Sequence, residues 1–257
     1  EIEIAKSIEE GLKHMVLAIS ACPLTITQIL DLVDKVEKEE LKIDDLVDGL
    51  MDSSGEDIVM EATAAAAAAA EETEASEEEG EEDDDGGAAI NAANLAQLRA
   101  DAMERFAAIR KINDKMRPAL NKYGFTSSQY QKLQADLSKL LMGIRFSARQ
   151  VDNLCETVRS IVEEVRVHER AIMSLAVTKS GMPRAHFIKT FPGLEGNDAW
   201  LTQELSSKSP YQEQLTRHQY TILEHQSKLR ALQQRASLPV KDLKDINKKM
   251  STGEAKA

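Results

Sequence analysis

Between Ser147 and Gly181 the chain reads SARQVDNLCETVRSIVEEVRVHERAIMSLAVTKSG. Val151, Leu154, Val158, Ile161, Val165, His168, Ile172 and Leu175 recur at alternating steps of three and four. That period puts them in one apolar stripe along one helix. Ser147 with Gln150 three residues on forms a capping-box start, and Gly181 followed by Pro183 forms a left-handed stop. About thirty residues at ~1.5 Å each make a rod of roughly 45–50 Å. A helix with a single stripe draws its stability from neighbours that cover that stripe, so other helices must lie along it. The spacing predicts Val158 and Ile161 near the centre of the resulting core, with Ile222 of a second long helix close by.

The rest of the chain supplies those neighbours. Residues 1–21 read as an amphipathic helix broken at Pro23, and Thr25 to Glu40 as a second with Ile26, Ile29, Leu30, Val33 and Val36 on one face. A short third helix is expected at Leu46, Val47 and Leu50, capped by Asp44 or Asp45. A fourth carries Leu95, Leu98, Ala102, Phe106, Ile109 and Ile112 and stops before Pro118. After a turn and cap at Tyr123–Ser127, a fifth carries Tyr130, Leu133, Leu137, Leu140, Leu141 and Ile144. Two short helices bear Phe187 with Ile188 and Trp200. Ser209-Pro210 opens the second long helix, with the stripe Tyr211, Leu215, His218, Ile222, His225, Leu229 and Leu232. Ser237 to Met250 is the last complete helix, and the capping box of Ser251 with Glu254 marks a further start. No stretch sustains period-two alternation, so no sheet is expected. The fold class is all-α: an irregular helical bundle with two long amphipathic helices and a disordered acidic loop.

Charge is unevenly placed. The formal net charge is −12 from 32 basic and 44 acidic residues. Between Lys42 and Arg99 there are eighteen acidic residues and no Lys or Arg, which leaves 26 acidic against 32 basic residues elsewhere, a balance of +6. Ala64–Ala70 is polyalanine, and Glu71–Asp85 holds eleven acidic residues in fifteen. Such a run repels itself and has no apolar anchor, so residues 52–89 are expected to be disordered. The functional reading of this tract is a binding tail for a basic partner or a mimic of DNA; the bland reading, a solvated linker, is preferred. The chain opens inside an apolar pattern (Ile4, Ile8, Leu12, Met15, Ile19) and closes on a helix start, as an excised piece of a longer protein would.

Catalytic patterns are scarce. The chain contains no HExxH, no nucleophile elbow, no phosphate loop and no GxGxxG. None of the five histidines has a Glu three residues before it, as a di-metal bundle requires. Glu164 with His168, and His218 with His225, share helix faces; half-buried, hydrogen-bonded histidines in a helix interface are preferred over metal or pH sensing. Cys22 and Cys155 lack CxxC spacing and read as buried free thiols of a reducing compartment. Trp200 reads as a hydrophobic plug in a loop-rich corner. No cofactor, metal or catalytic residue is expected. The candidate binding residues are Lys35, Lys38 and Lys42, at i, i+3 and i+7 on the second helix, where a lysine stripe can track phosphates. Glu37, Glu39 and Glu40 weaken its field, and a solvated lysine face is the bland alternative.

The closing stretch Leu243-Lys244-Asp245-Ile246-Asn247-Lys248-Lys249-Met250-Ser251-Thr252-Gly253-Glu254-Ala255-Lys256-Ala257 resembles the start of region 2 of the primary (housekeeping) sigma factors of bacterial RNA polymerase. Glu1-Ile2-Glu3-Ile4-Ala5-Lys6-Ser7-Ile8-Glu9-Glu10-Gly11 resembles the second half of their region 1.2. Val165-Arg166, Glu169-Arg170, Ile172-Met173, Met182-Pro183 and Phe187-Ile188 resemble their non-conserved insert. The resemblance divides the chain into 1–51, the end of region 1.2 and following helices; 52–89, the acidic linker; 90–238, the helical non-conserved region; and 239–257, the start of region 2. It implies a cytoplasmic, non-enzymatic, monomeric piece of an initiation factor whose partners are RNA polymerase core subunits and promoter DNA, with no membrane. The insert would modulate contacts with core, and Lys35, Lys38 and Lys42 would lie near upstream promoter DNA. An inserted segment needs its two ends close in space, so the first helix should pack near the last. The competing reading is a helical scaffold or adaptor that binds partners through its long helices.

Overall fold

The structure, a computed structural model, describes residues 2–51 and 85–256. Most of the tract expected to be disordered, 52–89, lies outside the described residues; from Asp85 the chain is helical, earlier than the expected restart at Ile90. The chain divides into two compact units, Glu1–Thr25 with Leu154–Ala257, and Ile26–Asn153.

The first unit contains α1 (Ile2–Ile19), most of α5 (Ala148–Met173), a π-helical turn (Ser174–Lys179), α6 (Arg184–Thr190), α7 (Ala199–Ser206), α8 (Gln212–Ala236) and α9 (Val240–Glu254). Its defining contact joins its sequence ends: α1 packs on α9, as the insertion argument requires. A Cβ built on Gly253 would stand 3.2 Å from the Gly11 carbonyl oxygen and 3.0 Å from Met15 Cγ, so the helices cross where one of them has no side chain. Ser7 Oγ donates to the Lys256 carbonyl at 2.9 Å beside this crossing. Charged pairs fasten α9 to α5: Lys244 Nζ donates to both oxygens of Glu169 at 2.7 and 2.6 Å, and Arg159 pairs with Glu254. The helix expected to begin at Ser251 is instead a continuation of α9. Met250 and Gly253 extend its buried stripe, and that tertiary contact outweighs the local capping preference of Ser251.

The stripe of α5 is buried as expected, with Val158, Ile161 and Ile222 of α8 at 0% exposure. Gly181 terminates this helical stretch in the left-handed conformation with φ +81°. One detail differs. The last turns widen into the π-helical segment, so that Ser180 N donates to Leu175 O at 3.0 Å and Met182 N to Ala176 O at 3.0 Å. Ser237, read as the start of the last helix, is the left-handed cap of α8 with φ +56°, and α9 starts after Pro239.

The second unit holds most of α2 (Pro23–Glu37), β1 (Val47–Leu50), α3 (Asp85–Tyr123), α4 (Ser128–Met142) and β2 (Ile144–Phe146). It corrects two expectations. The third helix and the end of the fifth are strands: β1 and β2 pair antiparallel, Val47 with Phe146 and Leu50 with Ile144, with a bulge between Val47 and Gly49. Strands of three and four residues carry too little alternation to be seen locally, and each exists through its long-range partner. The ladder continues past both ends, with Met51 N donating to Gly143 O at 2.9 Å and Ser147 N to Leu46 O at 3.1 Å. Ser147 Oγ donates to the Asp45 carbonyl at 2.9 Å rather than closing a box with Gln150. Arg105 of α3 closes the other end, donating to Met51 O at 2.8 Å and to Gly143 O. The second correction is that α3 runs through Pro118 to Tyr123. Pro118 is exposed while Met116 is buried, so the hydrogen bond that proline removes faces water and the stripe continues across it.

Ile161→Ala should cost about 2–5 kcal/mol in urea unfolding. Val167→Ala on the outer face of α5, where Val167 is 50% exposed, should change stability by no more than about 0.5 kcal/mol. Similar costs at both positions would mean that the stripe does not face the core.

Candidate functional site

Lys35, Lys38 and Lys42 are all exposed, but they do not share a helix face. The α2 helix ends at Glu37. Glu40 N donates to Lys35 O at 2.9 Å and Glu39 N to Val36 O at 3.2 Å around a left-handed Glu39 with φ +61°. This is a Schellman stop built on a residue other than glycine, which is why the helical pattern hid it. Lys35 stands in the last turn of α2, whereas Lys38 and Lys42 follow in the connection to β1.

The surrounding carboxylates are not free to weaken these lysines as their order along the chain implies. Arg110 of α3 pairs with Asp34 and stands 3.9 Å from Glu37. Arg99 of α3 stands 3.8 Å from Glu39 and donates to the Val36 carbonyl at 3.1 Å. The Asp34 hydrogen bond also holds Arg110 above its ordinary pKa. Of the acidic residues flanking the lysines, Glu40, and Asp44 and Asp45 beside Lys42, have no ion pair among the described residues. The clamping arginines could not be singled out from sequence, because Arg99 and Arg110 sit on the flank of an ordinary amphipathic pattern and their partners lie more than fifty residues away.

The histidines combine differently from their sequence spacing. His168 of α5 and His225 of α8 place their Nδ1 atoms 3.1 Å apart, with ring centroids at 5.2 Å. One of the two nitrogens carries the shared hydrogen. His218 is half-buried and takes no part. Burial, then the neighbouring His225 and Lys228, push the His168 pKa below its ordinary 6.5, against the opposing pull of Glu164 and Glu224. The pair is a hydrogen-bonded element of a helix interface, as the bland reading had it. Among the described residues no group of three His, Cys, Asp or Glu side chains is placed to hold a metal ion.

Two further polar centres are structural. Glu204, nearly buried, accepts from His186 Nε2 at 2.9 Å and Tyr211 OH at 3.0 Å, tying α6 and α7 to the start of α8. Nothing in the sequence marked it, since its two partners come from two other segments, α6 and the start of α8. Trp200 is the plug expected: 1% exposed, edge-on to Phe187 and Phe191, with Nε1 donating to Thr190 Oγ1 at 3.1 Å. Cys22 and Cys155 are buried free thiols.

Residues 22–233 match the model of the family described as Sigma-70, non-essential region. Over 262 residues the chain is 37% identical to the RNA polymerase sigma factor RpoD of Neisseria gonorrhoeae, a match that covers 99% of this chain and 40% of that protein. The chain thus spans less than half the length of this relative.

The His168 shift has a definite sign. A histidine whose folded pKa lies below the unfolded one binds fewer protons when folded, so stability rises with pH through that window. As pH falls from about 7 to below the ordinary value of 6.5, the melting temperature of the chain should drop. His168→Gln should remove part of that drop. A His168→Gln curve parallel to the wild-type curve would show that His168 does not contribute to the pH dependence of stability.

Proposed function

This chain belongs to the family of the sigma-70 non-essential region, and from that premise we propose that it is part of a primary sigma factor, the cytoplasmic initiation factor that directs RNA polymerase core to promoters. The observation that carries the reading is the extent of the likeness. The identity runs over 99% of the chain, beyond the 22–233 stretch of the family match and therefore into α1 and α9. Those helices flank the family-matched stretch and pack on each other, an arrangement suited to a segment spliced into one body. The role is non-enzymatic: the chain is a structural and modulatory module, and the partners of the longer protein are core polymerase and promoter DNA. A free-standing helical scaffold has no comparable likeness behind it. Among the described residues no single helix is long and apolar enough to cross a membrane.

Within this reading Lys35, Lys38 and Lys42 are candidate contacts to DNA phosphates. They act through charge rather than base edges and add affinity without sequence preference. Among the described residues their ammonium groups have no ion pair, and Arg99 and Arg110 engage the carboxylates of Asp34, Glu37 and Glu39 beside Lys35 and Lys38.

The longer protein carrying this chain should co-elute with core RNA polymerase and start transcription at a promoter. Failure to bind core contradicts the reading. In the same complex, replacing Lys35, Lys38 and Lys42 with Glu should weaken promoter binding and leave core binding intact. Unchanged promoter affinity would return these lysines to the solvated surface.

A further inference from the structure

We propose that the outward face of α3 from Lys111 to Tyr123 is a second contact for the phosphate backbone of duplex DNA; this rests on the reading of the chain as part of a DNA-bound initiation factor. From Arg105 to Tyr123, α3 contains six basic residues and one acidic residue, Asp114. Two of the six are engaged within the fold: Arg105 holds the carbonyls of Met51 and Gly143, and Arg110 holds Asp34. Lys111, Lys115, Arg117 and Lys122 are exposed and have no ion pair among the described residues. At 100° per residue, Lys111, Lys115 and Lys122 fall within about 40° of one another around the helix, opposite the buried Ala102, Phe106, Ile109 and Met116. Arg117 projects from the same flank as Arg99 and Arg110. The lysines extend over about 16 Å of helix axis, roughly half a turn of duplex. Asp101 and Glu104 mark the end of the face on its N-terminal side.

Two blander accounts explain less. Cations near a helix C-terminus balance the macrodipole, but that effect decays within the last turn and reaches Lys122, not Lys111 or Lys115. A protein partner favours a face with an apolar centre and few lysines. Here the exposed large apolar side chain is Tyr123, at the rim, with Lys122 Nζ 5.1 Å above its ring. A lysine-rich face without an apolar centre fits phosphates, which require charge and reach alone.

The test uses the longer protein assembled with core polymerase on promoter DNA. Replacing Lys111, Lys115 and Lys122 together with Glu should weaken the complex. It should also flatten the dependence of log affinity on log salt, by up to ~0.9 per lost contact. Gln at the three positions should act in the same direction and less strongly, and Lys132→Glu with Lys139→Glu on α4 should leave the slope unchanged. A photo-crosslinking residue in place of Lys115 should label DNA. Labelling of a polymerase subunit with an unchanged slope would reassign the face to an acidic protein, and no labelling with an unchanged slope would leave it solvated; either overturns the proposal. If the wild-type protein fails to bind core, the sigma reading fails instead.

Discussion

A helix crossing between residues more than 240 positions apart governs the first unit. Gly253 lets α9 approach the backbone of α1 at Gly11, and the two helices bury Met15, Ala18 and Ile19 on one side and Leu243, Ile246 and Met250 on the other. Loop-closure entropy grows only slowly with the length of intervening chain, so such a contact tolerates a long segment between its partners. The long α5 helix is then fastened to α9 from its own polar edge, by Glu169 to Lys244 and Arg159 to Glu254. These pairs orient the helices, while the buried stripe supplies most of the stability.

The second unit divides its cations by type. Arg99, Arg105 and Arg110 of α3 point their planar groups at backbone carbonyls and carboxylates, and so close the end of a two-stranded sheet and the end of α2. Arginine suits this work, because its several donors reach more than one acceptor at once. Lys35 of α2, Lys38 and Lys42 of the following connection, and Lys111 and Lys115 of α3 are exposed and make no ion pair among the described residues. The acidic residues thought to mask Lys35 and Lys38 are partly consumed by the arginines. The surface that remains is more positive than the order of residues along the chain implies, and this gives a phosphate-tracking reading its physical basis.

What the sequence showed was governed by the 3.6-residue period. Wherever a helix had a buried stripe, as in α5, α8 and α9, its existence and core face were legible. So was the packing of α1 on α9, which followed from the logic of insertion. The strands were not, because Val47–Leu50 and Ile144–Phe146 acquire their conformation from each other. Helix ends were harder than helices. Pro118 is tolerated on a wet face, Glu39 stops α2 without being glycine, and Ser251 is carried on into α9 by the contact of Gly253. The candidate site suffered from the same cause, since a stripe drawn from Lys35 to Lys42 assumed a helix that ends at Glu37. His168 and His225 met across two helices that one-dimensional spacing had paired with other residues.

The first unit depends most on the closure of α1 against α9, and hydrogen–deuterium exchange after Gly253→Leu tests that closure directly. A side chain at this position must displace Met15 or the Gly11 backbone. Amides of Gly11–Ile19 and of Leu243–Met250 should lose protection together, while those of the β1–β2 pair keep theirs. Retention of wild-type protection in α1, with loss confined to α9, would contradict the claim that the two helices stabilise each other across the intervening chain.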